Sequence, residues 1–377
     1  LGKRVVPIVA DEARTFGMQS LFRQVAIYSP FGQLYAPEDR DELLYYKEAK
    51  NGQILEEGIT EAGAISSWIA AATSYSTHGK TMLPFYIFYS CFGFQRIGDL
   101  VWTAGDSRAR GFLLGATAGR TTLSGEGLQH EDGSSHLLFS TVPNCVAYDP
   151  TYGYEVVTII QDGMKRMLEK QHDVFYYVTV MNENYCHPSI PKDAEVGIIK
   201  GMYCLQKNKQ SATAHAQLLG SGTILRETLA ASELLKSDWK VSTDVWSVTS
   251  FTELRRDGLC IDRENMYSSN SPDKATWVEK CLGSTIGPII ASTDYMRAVP
   301  DMIRTWVPRR YVTLGTDGYG RSDTRKSLRD FFEVDRFHIT LATLKALVAE
   351  GSIDKSVLSK ALKKYGLKSD RPNPWDI

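Results

Sequence analysis

The stretch that decides the fold is PFYIFYSCFGFQRIGDL, Pro84–Leu100, which opens with an apolar run of strand length, Phe85–Tyr89. Similar runs lie before and after it, and connections long enough for a helix separate many of them. The next run along the chain is Phe112–Ala116. Because helix-length connections allow neighbouring strands to pair in parallel, we predict an α/β fold with mainly parallel sheets covered by helices.

The other segments follow the same alternation. Further strand-length runs are Val5–Ala10, Leu21–Tyr28, Cys145–Tyr148, Phe175–Val180, Ala216–Leu219, Asp244–Val248, Ile289–Ser292 and Val312–Leu314. Helices are predicted over Gly58–Tyr75, Tyr152–Lys170, Thr223–Leu235 and in a final region from Thr324 to Tyr365. Pro188 and Pro191 disfavour regular structure, so we predict two domains, 1–190 and 191–377. Because an apolar strand follows so soon after Leu1, we expect the first domain to be incomplete at its N-terminus.

Composition excludes several classes of protein. The 377 residues are too many for one ordinary core. Lys and Arg total 43 against 44 Asp and Glu, without charge runs, which argues against a nucleic-acid partner. No apolar run approaches the roughly 18 residues of a membrane span, and no secretory signal is visible. Six cysteines without a CxxC pair indicate reduced thiols, so we expect a cytoplasmic protein.

Acidic residues stand at two positions that a ligand could reach. Asp11 and Glu12 directly follow the first predicted strand, and open parallel sheets bind ligands at the carboxyl ends of their strands. Glu61 lies in GITEAGA, Gly58–Ala64, at the start of a helix that is otherwise small and apolar. Both positions also have a structural interpretation, because acids cap segments and stabilise the first turn of a helix. Position alone leaves the choice open.

Two further stretches are unusual for a plain scaffold. Six aromatic residues occur within Phe85–Phe94, either as core or as a flat wall for a heteroaromatic ring. The loop GRTTLSGEGLQHEDG, Gly119–Gly133, holds three acids and a histidine among glycines, a composition typical of functional loops. A metal site is the alternative, but His130 and His136 lack the HExxH spacing, and we predict no metal ligand. The turns Gly220–Gly222 and Gly315–Gly320 also fail the GxGxxG spacing of phosphate-binding turns.

Five stretches together resemble the homodimeric, bacterial-type pyruvate dehydrogenase family, in order along essentially the whole chain. They are ADEARTFGM (Ala10–Met18), GITEAGA (Gly58–Ala64), PFYIFYSCFGFQRIGDL (Pro84–Leu100), GRTTLSGEGLQHEDG (Gly119–Gly133) and LGTDGYGRSD (Leu314–Asp323). The resemblance implies a transketolase-like pyrimidine-binding domain followed by a transketolase C-terminal-like domain. One departure is Ser134, which stands where the family has a second histidine after HEDG.

The resemblance also implies cofactors and residue roles. Thiamine diphosphate and Mg²⁺ are the implied cofactors, and their diphosphate and metal ligands are expected on an upstream half, because the sequence contains no Gly-Asp-Gly motif. The implied catalytic residues are Glu61, His130 and Glu126. The implied cofactor-binding residues are Glu61, Tyr89, Phe92, Ile59, Glu12 and Asp11. Glu61 would share a proton with the aminopyrimidine ring, and we expect it to be buried, because desolvation favours a neutral carboxyl.

The implied activity is the oxidative decarboxylation of pyruvate with reductive acetylation of lipoyl groups, and the chain alone is expected to be inactive. The implied partners are a second copy in a homodimer, pyruvate, and the dihydrolipoamide acetyltransferase core with its lipoyl domains. Two alternatives stay open. One is a β-type subunit of a heterotetrameric 2-oxoacid dehydrogenase, and the other is a non-catalytic assembly module. Transketolase shares the domain order but lacks these signature runs.

Overall fold

The apolar runs form the strands of two main sheets, one with six strands and one with five. The computed structural model describes residues 2–10, 12–208, 214–269 and 272–377. Contacts between residues divide the chain into two units. The first unit comprises Leu1–Ala118, Leu138–Val146 and Asp162–Val180, and the second comprises Gly119–Leu137, Ala147–Gln161 and Met181–Ile377. The predicted boundary at Pro191 places loop 119–133 in the first domain, whereas its contacts group it with the second unit.

The elements are numbered in chain order. The strands are β1 (Val5–Val9), β2 (Ile27–Tyr28), β3 (Glu48–Ala49), β4 (Leu55–Glu56), β5 (Leu83–Tyr89), β6 (Phe112–Ala116), β7 (Cys145–Tyr148), β8 (Phe175–Thr179), β9 (Met202–Gln206), β10 (His215–Gly220), β11 (Ser242–Val248), β12 (Ile289–Ser292) and β13 (Tyr311–Leu314). The α-helices are α1 (Gln19–Val25), α2 (Glu61–Ala72), α3 (Ser74–Thr77), α4 (Gly93–Asp106), α5 (Ser135–Phe139), α6 (Gly153–Met164), α7 (Glu195–Lys200), α8 (Ile224–Trp239), α9 (Phe251–Met266), α10 (Trp277–Leu282), α11 (Ala298–Asp301), α12 (Arg325–Phe331), α13 (Arg336–Ala349) and α14 (Ser356–Tyr365).

The six-stranded sheet has the order β4-β1-β5-β6-β8-β7, and the pairs β1–β4, β1–β5, β5–β6 and β6–β8 are parallel. All five residues of β8 are buried, as expected when both faces of a parallel sheet are covered. Helix α2 packs on this sheet through Trp68, whose indole N–H donates to the Phe112 carbonyl at 3.0 Å. The carboxyl ends of β1 and β5 therefore meet at one edge.

The five-stranded sheet has the order β13-β12-β10-β11-β9. Its pairs are parallel except for β9, which runs antiparallel to β11 with a register shift between Val245 and Trp246. One cluster of buried residues joins this sheet to helices α8 and α13, and it includes Leu218 and Ile290 of the sheet and Leu344 of α13. The prediction of mainly parallel sheets covered by helices is confirmed for both sheets.

One predicted strand is wrong. Leu21–Tyr28 is helix α1 followed by the two-residue strand β2, which pairs with β3 in a small separate sheet. Only Phe22 of α1 is buried, and it packs edge-on against Tyr46 at 5.7 Å. The other strand-length runs occur within two residues of their predicted bounds. Over the described residues, every helix is too short or too polar to span a bilayer.

Candidate functional site

Glu61 is the first residue of α2, and Thr60 caps this helix by accepting a hydrogen bond from the Gly63 N–H at 3.1 Å. The Glu61 side chain is 20% exposed, and its Oε1 lies 2.5 Å from Nη1 of Arg96. The expectation that Glu61 is buried is therefore only partly met. The physical reason is its position in the first turn of the helix, where the side chain contacts a half-exposed arginine instead of the core.

Arg96 connects Glu61 to the aromatic residues at and just after the end of β5. Its guanidinium lies 3.9 Å from the centre of the Phe92 ring, and Phe92 meets Tyr89 edge-on at 5.9 Å. The Tyr89 hydroxyl donates in turn to the Glu12 carboxylate. These five residues form one continuous chain of contacts, which we call the carboxylate–aromatic cluster. It lies where β1 and β5 end and where α2 and α4 begin.

The aromatic run is divided between buried and partly exposed residues. Phe85 stacks on Phe112 at 4.7 Å, and Tyr86 and Phe88 are buried in the interior. Burial raises the pKa of the Tyr86 hydroxyl well above its usual value, and Glu61 and Glu57 raise it further. Tyr89 is the last residue of β5, Phe92 follows the strand, and both are partly exposed. The run is therefore core along most of β5 and a polar–aromatic surface at its end.

Two other predicted cofactor-binding residues have different outcomes. Ile59 is 84% exposed, an unusual position for a large apolar side chain, and it precedes Glu61 by two residues. Asp11 lies outside the described residues. Glu57, four positions before Glu61, donates its backbone N–H to the Val9 carbonyl at 3.1 Å and so belongs to the end of the sheet.

The start of loop 119–133, in the second unit, is hydrogen-bonded to a buried carboxylate that sequence reasoning did not single out. Oδ1 of Asp294 accepts hydrogen bonds from the Thr121 N–H at 2.8 Å and from the Thr121 hydroxyl at 2.6 Å. Oδ2 accepts from the Thr122 hydroxyl at 2.5 Å. Gly119 has a φ of 93°, and a Cβ there would lie 2.3 Å from Asp294 Oδ2, so both conformation and space require glycine.

His130 and Glu126 both belong to this loop. His130 ends a single 3₁₀ turn, Leu128–His130, and is half-buried, whereas Glu126 is exposed. His136 is different, because it is buried and packs edge-on against Tyr295 at 4.7 Å. Burial lowers the pKa of His136 to about 4, although Asp132 opposes the shift. His136 is therefore a neutral core histidine.

Among the described residues, Asp330, Asp335 and His338 come close enough together to hold a metal ion. The side chains of these residues already form hydrogen bonds with other protein groups. Asp335 caps α13 and accepts from His338 Nδ1 at 2.8 Å, and Asp330 accepts from Arg371 at 2.9 Å. These contacts explain the grouping as a helix cap beside a salt bridge.

Arg96 and Asp294 are the site residues that sequence reasoning missed. Arg96 lies inside a quoted signature stretch, but nothing in its local pattern shows what it contacts. Asp294 lies two residues after the end of β12, close to where open parallel sheets carry functional side chains, and that signal could have found it.

Two family models match the chain. Residues 1–188 match the family model described as pyruvate dehydrogenase E1 component middle domain, and residues 201–335 match the transketolase-like C-terminal domain. The pyruvate dehydrogenase E1 component of Pseudomonas aeruginosa is 62% identical over all 377 residues, which correspond to 43% of that protein. The Escherichia coli K12 protein of the same name is 54% identical over 98% of this chain and 42% of its own length.

The solved structures show the fold. Transketolase from Campylobacter jejuni aligns with a TM-score of 0.65 at 15% identity, over 91% of this chain and 44% of that one. A chain described as split gene transketolase, an inactive β4 tetramer, aligns with a TM-score of 0.58 at 14% identity over 92% of both chains. The chain studied here spans about two fifths of the length of its curated relatives. From the matched domains and the identity along its whole length, it belongs to the pyruvate dehydrogenase E1 component family.

Proposed function

We propose that a full-length protein carrying this chain is a pyruvate dehydrogenase (acetyl-transferring) that depends on thiamine diphosphate. In this proposal it decarboxylates pyruvate oxidatively and acetylates lipoyl groups reductively. The observation that carries the proposal is the carboxylate–aromatic cluster, in which Glu61 stands beside two partly exposed aromatic rings at the carboxyl edge of a parallel sheet. The name shared by the relatives that are 51–62% identical supports the choice of pyruvate.

The residues present fit an aminopyrimidine ring. Such a ring needs a flat apolar surface and a group that exchanges a proton with a ring nitrogen. Tyr89, Phe92 and the exposed Ile59 offer the apolar surface, and Glu61 offers the carboxyl group. When bound, thiamine diphosphate would supply the carbanion chemistry, and the protein would supply orientation and charge.

Each residue of the cluster has a proposed role. Glu61 hydrogen-bonds the pyrimidine ring and holds the shared proton. Phe92 and Tyr89 line the pocket, and Glu12 fixes the Tyr89 hydroxyl by accepting its hydrogen bond. Arg96 orients Glu61, because its guanidinium contacts both the carboxyl group and the Phe92 ring.

The catalytic roles of His130 and Glu126, with Asp11 as a further cofactor contact, are also part of the proposal. His130 carries an imidazole that can form hydrogen bonds, and Glu126 is exposed and can reach a ligand. We place the ligands of Mg²⁺ and of the diphosphate in the part of the relatives that this chain does not match.

The wider setting follows from the same proposal. The domain division is 1–190 and 191–377, and the protein acts in the cytoplasm as a homodimer. Its partner enzyme would be the dihydrolipoamide acetyltransferase core, whose lipoyl domains accept the acetyl group. Reaction with pyruvate would link glycolysis to acetyl-CoA.

The test is a substrate comparison with a full-length enzyme that carries this sequence. We expect reductive acetylation of a lipoyl domain to require thiamine diphosphate, Mg²⁺ and pyruvate, and to be slow with branched-chain 2-oxoacids or 2-oxoglutarate. Equal or faster turnover with another 2-oxoacid would contradict the substrate. No turnover with any 2-oxoacid, by an enzyme that binds the cofactor, would favour a non-catalytic assembly module instead.

A further inference from the structure

Glu131 is a buried acid directly next to His130, and the roles above do not use it. Its side chain is 1% exposed, and Oε2 accepts a hydrogen bond from the Arg321 backbone N–H at 2.6 Å. Its own backbone N–H donates to the Leu128 carbonyl at 3.2 Å, which closes the turn that ends at His130. One residue therefore connects the turn that carries His130 to the segment that follows β13.

Arg120 makes a parallel connection to the same segment. Its Nη1 lies 2.5 Å from both the Thr316 and the Gly318 carbonyl oxygens, and its Nε donates to the Glu131 carbonyl at 3.4 Å. The turn is thus attached to residues 316–321 by one carboxyl group and one guanidinium group. All of these residues belong to the second unit.

The space around the Glu131 side chain is closed. A Cβ on Gly320 would lie 2.8 Å from Glu131 Cβ, 2.9 Å from its Oε2 and 2.9 Å from the Leu128 carbonyl oxygen. Real Cβ atoms do not approach side chains this closely without displacing them. Gly320 therefore leaves room for the Glu131–Arg321 hydrogen bond, and an alanine at this position would push the carboxyl group away.

The groups around Glu131 have opposite effects on its pKa. Burial, together with the negative charge of Asp294, raises the pKa of Glu131 to about 7, although the Arg321 N–H and the Arg120 guanidinium lower it. The Arg321 guanidinium itself lies 4.4 Å from the Phe331 ring. Glu131 Oε1 has no hydrogen-bond partner within the part of the chain that the structure describes.

We propose that Glu131 is a positioning residue, which fixes the turn carrying His130 by bonding the Arg321 backbone. The assignment rests on the proposed function for the meaning of His130, but the attachment itself is a property of this chain. This role requires a side chain as long as that of glutamate with an oxygen acceptor at its end. Glutamine can therefore substitute for Glu131, and alanine cannot.

The pH dependence follows from the direction of the pKa shift. A carboxyl group with a folded-state pKa above its unfolded value contributes stability at low pH, and this contribution is lost as the pH rises through about 7. Between the ordinary value of 4.5 and about 7, a group released from its buried position loses its proton while the buried group keeps it, so the attachment to Arg321 should weaken across this range. Glu131→Gln carries no titrating group and should not show this change.

The first test measures amide hydrogen exchange in the 377-residue chain, over a peptide that contains Arg321. We expect Glu131→Ala and Gly320→Ala to speed exchange at this amide roughly tenfold or more, and Glu131→Gln to keep wild-type protection. After correction for intrinsic rates, the wild type should lose protection between about pH 4.5 and 7, and Glu131→Gln should not. Glu264→Gln, an exposed surface acid paired with Lys274, is the control for removing a charge.

Unchanged exchange in Glu131→Ala, or equal loss of protection in Glu131→Ala and Glu131→Gln, would overturn the attachment. The second test measures kcat and KM for pyruvate in a full-length enzyme. We expect Glu131→Ala to lower kcat about 10–100-fold and Glu131→Gln to restore most of it. Equal kcat in all three proteins, with the exchange result as predicted, would leave the attachment standing and remove its link to His130. Inactivity of the wild type with pyruvate would reject the proposed function alone.

Discussion

Removing the Asp294 carboxylate should release the start of loop 119–133. In Asp294→Ala the N–H and hydroxyl of Thr121 both lose their acceptor, whereas the Thr122 hydroxyl can turn to Thr223, 2.5 Å away. Two buried unsatisfied donors cost about 1–3 kcal/mol each, which gives roughly 2–6 kcal/mol. That is a large part of the about 5–15 kcal/mol that holds a typical domain together.

Asp294→Asn is the matched control. Its Oδ1 can still accept both bonds from Thr121, its amide can donate to Thr122, and it buries no charge. Burial raises the pKa of Asp294 even though Arg329 and the threonine donors lower it, so a neutral side chain of the same shape should suit this position. We expect Asp294→Asn to stay within about 1 kcal/mol of the wild type.

The assay is urea unfolding followed by circular dichroism, combined with hydrogen exchange over residues 119–125. Asp294→Ala should lower the free energy of unfolding by at least about 2 kcal/mol, because each of the two unsatisfied donors costs about 1 kcal/mol or more. It should also speed exchange in this segment. Equal stability of the alanine and asparagine variants would refute the reasoning, because it would show that the carboxylate does not hold the loop.

Two further predictions concern the first unit and cofactor binding by the 377-residue chain. Trp68→Ala should lower the free energy of unfolding by about 3–5 kcal/mol, because Trp68 is fully buried. Trp68→Phe should lower it by about 1 kcal/mol, because the hydrogen bond to the Phe112 carbonyl is lost. Urea unfolding measures both changes. Calorimetry on the 377-residue chain with micromolar thiamine diphosphate and Mg²⁺ should detect no binding. A micromolar dissociation constant, which corresponds to a binding free energy of about −8 kcal/mol, would show that the diphosphate contacts lie within this chain.

The sheets could be predicted because parallel strands that are buried on both faces appear as short, continuous apolar runs. Phe112–Ala116 and Cys145–Tyr148 were predicted at their observed bounds for this reason. The prediction of a strand over Leu21–Tyr28 was wrong, because neither the length nor the period of a short apolar run distinguishes a strand from a helix turn. Strand β9 was not predicted, although four of its five residues are apolar.

The site was partly predictable. Glu61, Tyr89 and Phe92 could be singled out from signature stretches and lie in one chain of contacts. The bond of Arg96 to Glu61 joins residues 35 positions apart, and the attachment of loop 119–133 to Asp294 spans more than 170 positions. Contacts at such separations depend on how the strands are ordered in the sheet, which no local pattern in the sequence specifies.

The most direct test of the central claim compares two glutamates in a full-length enzyme that carries this sequence. Glu61→Gln keeps the size of the side chain but cannot exchange a proton, and Glu57→Gln changes an acid whose backbone closes the end of the sheet. The measurement is hydrogen–deuterium exchange at the thiazolium carbon of bound thiamine diphosphate, read by acid quench and NMR. We expect Glu61→Gln to slow this exchange roughly 10²–10⁴-fold and Glu57→Gln to leave it nearly unchanged. Equal exchange rates in the wild type and Glu61→Gln would contradict the role assigned to Glu61 and to the cluster around it.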